Sequence, residues 1–438
     1  MFGLADYLLA ALRDDRKRLK LLTAAVAGGF LLRLAFVLWL GNGLYQPDER
    51  GIVQMAQFIC ENGFLKGLFL VPSDRPVGAS LPVALAFSLS GNSILSARLL
   101  NVLISTASIA VLYAYTSSLF GGGPALLAAL AASLYPFFIY WSGMLMTETP
   151  TVFLVLCAFW FTHRLLEKEG SPEGQSLPAG RGNSWLNACA GGFSWSLLIF
   201  TRAQNLYFLP VIAGWIAWKK LHRGLAGPLA AFFAMALLLP ALWTVRNRTV
   251  YEKTAFDIHG GITLLMNTVF YEQSRKDWGI ALESFEKTPL YSQSAGLSEP
   301  EKDAFYRKKA GEYVRQHPWL FLRQRLNSLL QFWRFYPRTD KSMVPGSPFI
   351  GAKRTLFTAV SLVTEPFLLT AGLCGLFIAF RKKKKIHLPF LFILMTTAVH
   401  ALVAAQMRYR LPVMPIVIMF ACYALWSALQ PDTAEKNI

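Results

Sequence analysis

Hydrophobic positions in this chain come in unbroken runs, not in the one-sided stripes of surface helices. Ten runs stand out, at about 21–40, 94–119, 124–143, 150–164, 185–201, 204–218, 225–245, 355–380, 387–404 and 411–429. Many reach the ~20 apolar residues that a helix needs to cross a bilayer. In hydrocarbon every backbone polar group must be satisfied internally, which favours helices. The pattern predicts an all-α polytopic membrane protein of about ten spans.

The polar stretches set the orientation. Arg13, Arg16, Lys17, Arg18 and Lys20 precede the first run. Lys219, Lys220 and Arg223 follow the sixth, and Arg381 to Lys385 are all basic. Short basic loops mark the cytoplasmic side. All of them fall on one side when the runs alternate, so both termini are expected inside. No small-residue cleavage site follows the first run, which reads as an uncleaved anchor. Residues 1–20 read as a short amphipathic segment. Residues 167–183, rich in Gly, Pro, Ser and Glu, read as a flexible cytoplasmic linker.

Two outer stretches are long. The first outer loop, 41–93, should hold an interfacial helix near 51–62 and an apolar piece, 77–90, too short for a span. The second, 246–353, reads as a small, mainly helical outer segment. Ser298-Glu299-Pro300-Glu301 is a helix start signal there, and Pro318 should kink or split the helix. The chain thus divides into an N-terminal transmembrane catalytic module, 1–245, the outer segment, 246–353, and C-terminal transmembrane helices, 354–438. The third run ends in Tyr135, Phe137, Phe138, Tyr140 and Trp141, which reads as an aromatic belt at the interface.

Composition agrees with a membrane protein. Of 438 residues, 54% are hydrophobic and 16% charged, against about 25% charged in soluble domains. The net charge of +18 points to anionic lipid headgroups, because much of the basic excess lies beside apolar runs. No nucleic-acid partner is expected. The five cysteines show no metal-ligand spacing, and Asp74 with His259 would make only two ligands. The sequence predicts no metal site and requires no cofactor, while leaving a divalent metal open. Asn247-Arg248-Thr249 matches a glycosylation sequon but lies almost at the membrane, where it reads as chance.

Once the loops are oriented, Asp48, Glu49, Asp74, Arg75, Glu148, Arg202, Arg408 and Arg410 all fall on the outer face. An arginine offers a planar fork suited to phosphate oxygens. A carboxylate can take a proton from an attacking hydroxyl or amine. Together they suit group transfer from a polyprenyl-phosphate carrier, whose phosphate leaves with charge stabilisation. Blander roles stand beside these. After Pro47, Asp48 can cap a helix with Glu49 in its first turn. Glu148 starts a helix, where an acid is worth about 0.3–1 kcal/mol against the dipole. The arginines can snorkel.

The ordered set of motifs resembles the membrane glycosyltransferases of the GT-C superfamily, nearest the bacterial relatives of protein O-mannosyltransferases and the lipid A aminoarabinose transferase (family 39/83-like). Asp48-Glu49 is similar to the acidic motif of the first outer loop. Arg75-Pro76, the stretch ending Ser90-Gly91-Asn92-Ser93, and Ala97-Arg98-Leu99-Leu100 resemble the juxtamembrane helix and second span. Thr147-Glu148 resembles the second acidic motif. Thr201-Arg202, the Tyr306–Trp333 segment and Arg408 to Pro415 match further patterns.

The resemblance implies a GT-C helical bundle and an inverting glycosyltransferase of the bacterial inner membrane, acting at the periplasmic face. Its catalytic residues would be Asp48 (the base), Glu49 and Glu148, with Glu49 either orienting the loop or binding the acceptor. Arg75, Arg202, Arg408 and Arg410 would bind the donor phosphate. The partners would be a polyprenyl-phosphate sugar donor, membrane lipids and an acceptor lipid, glycan or protein. Pro76 is followed by Val77 where the family often has a second proline. The chain is expected to lack the large C-terminal outer domain of some relatives, so acceptor recognition is expected to rest on 246–353. The alternative is a transporter or flippase of polyprenyl-linked sugars, which should carry charges deep in its spans and paired half-helices.

Overall fold

The computed structural model describes residues 14–72, 76–166, 184–219, 225–257, 259–276, 278–336 and 352–430. Arg75, Asp74 and the 167–183 linker lie outside the described residues. Every regular element among the described residues is helical: α1 (Asp15–Leu40), α2 (Pro47–Glu61), α3 (Phe64–Leu70), α4 (Ser80–Ser90), α5 (Ile94–Phe120), α6 (Gly122–Leu134), α7 (Pro136–Ser142), α8 (Glu148–Leu166), α9 (Ser184–Thr201), α10 (Phe208–Trp218), α11 (Ala226–Tyr251), α12 (Gly260–Met266), α13 (Tyr271–Lys276), α14 (Trp278–Glu286), α15 (Pro289–Ser294), α16 (Glu299–Gln316), α17 (Pro318–Phe332), α18 (Ala352–Arg381), α19 (His387–Leu402) and α20 (Met414–Leu429). Two short 3₁₀ segments, Ala203–Tyr207 and Met407–Val413, precede α10 and α20.

All ten apolar runs are helical, but they are not equally long. Six described helices are long and apolar enough to cross a membrane, or seven if α6 and α7 count as one bent span. The 11 residues of α10 reach only about 16 Å at 1.5 Å per residue, short of a ~30 Å hydrocarbon core. The polar stretch Thr201 to Asn205 interrupts apolar continuity there, and a 3₁₀ turn takes its place.

The α6/α7 bend of 54° follows from Pro136. The residue before a proline is driven out of the helical region, and Tyr135 is extended at ψ 116°. The bend also changes the reading of the aromatic cluster. Tyr135, Phe137, Phe138, Tyr140 and Trp141 are all buried. They form protein core rather than a belt facing lipid, because the bend turns α7 inward.

Buried arginines fasten the bundle by donating to backbone carbonyls. Arg33, in the C-terminal third of α1, donates from Nε to Ser105 Oγ (2.8 Å), from Nη1 to Gly29 O (2.9 Å) and Ser133 O (3.0 Å), and from Nη2 to Ala132 O (3.0 Å). That joins α1, α5 and α6. Arg246 on α11 donates to Phe69 O (2.9 Å) and to Val71 O, holding the end of α3.

The described part of the 246–353 segment has its own small core of Leu265, Met266, Phe270, Ala281, Phe285, Tyr306 and Ala310. Its start signal behaves as expected, with Glu301 Oε2 accepting from Ser298 N at 2.8 Å. Pro318 splits the helix into α16 and α17. Arg325 of α17 then donates to Leu402 O (2.5 Å) and Ala401 O (3.3 Å), the last carbonyls of α19. A cation there suits the helix dipole, although burial lowers its guanidinium pKa.

Helices α18 and α20 approach through glycines. A Cβ at Gly375 would meet the Phe420 carbonyl, and one at Gly372 would meet Val417. Gly375→Val is therefore expected to destabilise the protein by ~1–3 kcal/mol through overpacking, read as a lower melting temperature in detergent.

Candidate active site

The site lies where α2, the start of α8, the end of α9 and the 3₁₀ segment before α20 converge. Pro47 opens α2 as its first residue, a position where the missing N–H costs nothing. Gln46 is the cap, so Asp48 and Glu49 both fall in the first turn. Their fates then diverge.

Glu49 is fully buried. Its Oε2 accepts from Tyr45 N and Gln46 N, both at 2.7 Å, and its Oε1 from Leu145 N at 2.9 Å. Arg98 Nη2 lies 3.8 Å away. These contacts fit a loop-orienting role. Asp48, by contrast, remains 53% exposed and meets Arg408 Nη2 at 3.0 Å, 360 residues further along the chain.

The second acid is also paired. Glu148 Oε1 lies 2.9 Å from Arg202 Nη2, with both side chains buried. Thr147 Oγ1 accepts from Arg202 Nε (3.1 Å) and Nη2 (2.8 Å) and donates to Glu148 Oε2 (3.2 Å). The two pairs are linked through Tyr409. The Arg202 guanidinium stands 5.5 Å from its ring centroid and that of Arg408 5.2 Å, within cation–π range. His400 stacks on the same ring at 4.9 Å, with Nδ1 3.0 Å from Ala404 O and Nε2 3.4 Å from Gln204 Nε2.

Four arginines were expected to bind phosphate. Arg75 lies outside the described residues. Arg410 turns away from the other site residues: its Nη2 pairs with Glu365, and its Nη1 donates to Arg334 O (2.9 Å) and Phe332 O (3.3 Å). Arg202 is joined to Glu148 and Thr147. Arg408 alone among the three described keeps a buried donor, Nε, with no hydrogen-bond partner. Arg98 is structural: Nε donates to Gly143 O (2.8 Å), and Nη1 and Nη2 donate to Gly41 O and Gly43 O.

Among the described residues no group of three His, Cys, Asp or Glu side chains could hold a metal. The sequon asparagine, Asn247, is buried and donates from Nδ2 to Ala255 O at 2.8 Å. Sequence reading missed Tyr409, His400, Gln204, Tyr140, Tyr135 and Glu365. Glu365 did leave a signal, as a lone acid inside an apolar run. The tyrosines and His400 did not, since such residues at span ends resemble interface anchors, and Gln204 stands in no motif.

Gln46 Nε2 donates to Tyr140 Oη at 2.7 Å, tying the start of α2 to α7. Tyr140→Phe should cost about 0.5–1.5 kcal/mol of stability and lower activity only a few-fold, checked by melting and initial rates together.

A family model described as dolichyl-phosphate-mannose-protein mannosyltransferase matches residues 74–245. No curated protein matches the chain. Among solved structures, the oligosaccharyltransferase of Archaeoglobus fulgidus tethered with an acceptor peptide aligns at 15% identity and TM-score 0.53, over 94% of this chain and 50% of that one. Its apo form aligns at 13% identity and TM-score 0.54 over the same shares. The chain thus spans about half the length of those relatives. ArnT from Cupriavidus metallidurans bound to undecaprenyl phosphate aligns at 13% identity, over 95% of this chain and 78% of that one, with TM-score 0.40. The resemblance to GT-C membrane glycosyltransferases thus holds in sequence over residues 74–245 and in fold, and the chain is a multi-pass helical membrane protein.

Proposed function

We propose that this protein transfers a sugar from a polyprenyl-phosphate donor to a lipid, glycan or protein acceptor at the periplasmic face of the bacterial inner membrane, with inversion at the anomeric carbon. The observation that carries this reading is the Asp48–Arg408 pair, in which the guanidinium retains a buried, unpartnered Nε. A guanidinium with a free donor is ready for an anion, and an exposed carboxylate beside it can take the acceptor's proton. The family model matched to 74–245, with its dolichyl-phosphate-mannose donor, supports a lipid-phosphate donor.

Asp48 accepts the proton of the attacking hydroxyl or amine. The acceptor oxygen or nitrogen bonds to the anomeric carbon as the bond from that carbon to the phosphate oxygen breaks. The departing phosphate keeps the bonding electron pair, and Arg408 stabilises its charge, with Arg202 held alongside by Glu148. Glu49 fixes the turn that presents Asp48. The outer segment 246–353 covers the cavity and shapes the acceptor site. The deep charges do not favour passage. Arg33 and Glu365 sit within spans, but both are buried and closed off by protein partners.

The test is transfer of radiolabel from polyprenyl-phosphate sugars into a membrane extract by purified protein. Label should move to a new species with wild type, and Arg408→Ala should raise the donor KM by about 10–100-fold, the worth of one charge-assisted hydrogen bond. Donor that binds but is never transferred would overturn the reading in favour of transport.

A further inference from the structure

Glu365 lies inside the apolar length of α18 and is fully buried. A carboxylate in such a place needs partners, and two are present. Arg410 Nη2 forms an ion pair with Oε2, and Tyr135 Oη donates to Oε1 at 2.5 Å. Both partners lead to the site. Arg410 is two residues from Arg408 in the same 3₁₀ segment, and its Nη1 donates to Phe332 O, at the last residue of α17, and to Arg334 O just beyond it. Tyr135 is the bend between α6 and α7. Helix α7 carries Tyr140, which accepts from Gln46, two residues before Asp48. One carboxylate thus anchors two short chains of contacts, one ending at Arg408 and the other at Asp48.

We infer that Glu365 is a positioning residue that fixes the separation of the Asp48 carboxylate and the Arg408 guanidinium, and with it the fit of the donor phosphate. The inference rests on the reading of Arg408 as a phosphate ligand. Removing one member of a buried pair strands the other, so without Glu365 the Arg410 guanidinium must reorient and carry its 3₁₀ segment with it. Displacements of about 1 Å at a reacting site can cost 10²-fold. General loosening of α18 is a separate matter, because α18 meets α20 through Gly372 and Gly375, which a change at Glu365 leaves in place.

The experiment measures binding of a polyprenyl monophosphate to the full-length protein in detergent, for wild type, Glu365→Gln, Arg408→Ala and the double variant, with melting temperatures in parallel. Glu365→Gln should weaken binding by about tenfold. In the Arg408→Ala background it should add nothing further, since the contact it positions is already gone. Unchanged binding in Glu365→Gln, or an equal fold-loss in both backgrounds, would overturn the inference. If Glu365→Gln does not fold, Glu365→Asp keeps the charge with a shorter reach and decides the same question: weaker binding that depends on Arg408 supports positioning, and unchanged binding overturns it. Wild type that fails to bind the monophosphate would instead remove the phosphate reading of Arg408, so the two failures are distinct.

Discussion

Asp48→Asn is expected to lower the turnover number of sugar transfer by about 10²–10⁴-fold, the usual contribution of a positioned general base. The variant isolates that role well. The asparagine amide oxygen can still accept from Arg408 Nη2, so the contact between α2 and the Met407–Val413 segment is kept. The side chain is 53% exposed, so no buried charge is left stranded and the melting temperature should stay near wild type. Removing a negative charge beside Arg408 should leave donor binding unchanged or slightly tighter. The signature is therefore a fall in kcat with an unaltered or lower donor KM. Turnover within about threefold of wild type would place the base elsewhere, since general-base removal costs far more. Glu148 is poorly suited to replace it, being buried and bound to Arg202 and Thr147.

Arg98→Met should be the most damaging substitution for stability at this face. Arg98 is fully buried and donates to Gly41 O, Gly43 O and Gly143 O, with Glu49 at 3.8 Å. It joins the loop after α1 to the turn before α8 and to the acid that shapes the first turn of α2. Its loss leaves Glu49 buried without its cation and three carbonyls without a donor. Breaking a buried pair in this way costs about 3–5 kcal/mol. The expected result is a markedly lower melting temperature in detergent and loss of transfer together, in contrast to Asp48→Asn. A stable Arg98→Met protein with normal kinetics would show that the Tyr45–Glu49 turn holds without the arginine.

These two substitutions differ although both residues read alike in the sequence, as charged groups at the outer ends of spans. Arginine is where sequence reading reached its limit. The resemblance implies phosphate binding for Arg75, Arg202, Arg408 and Arg410 alike, and a guanidinium fork fits phosphate. The same fork fits backbone carbonyls and carboxylates. Arg33, Arg98, Arg246, Arg325 and Arg410 are engaged largely in that way. Only the neighbours left around each guanidinium distinguish a clamp from an anion ligand, and those neighbours come from elements hundreds of residues apart. Glu49 shows the same limit. Its spacing after Pro47 suits catalysis and capping alike, and Leu145 N, 96 residues away, completes its engagement.

The sequence by itself determined the helical class, the membrane setting, the placement of the apolar runs, the start of α16 and the split at Pro318. These follow from local causes: run length against bilayer thickness, proline chemistry and capping. Only the tertiary structure decided that Asp48 faces Arg408 while Arg410 turns to Glu365, that the aromatic cluster after Pro136 is core, and that Tyr409 stands between two arginines. Each depends on which side of a helix meets which neighbour. In a span that is apolar all round, hydrophobic periodicity carries little of that information, and packing and buried polar pairing supply it.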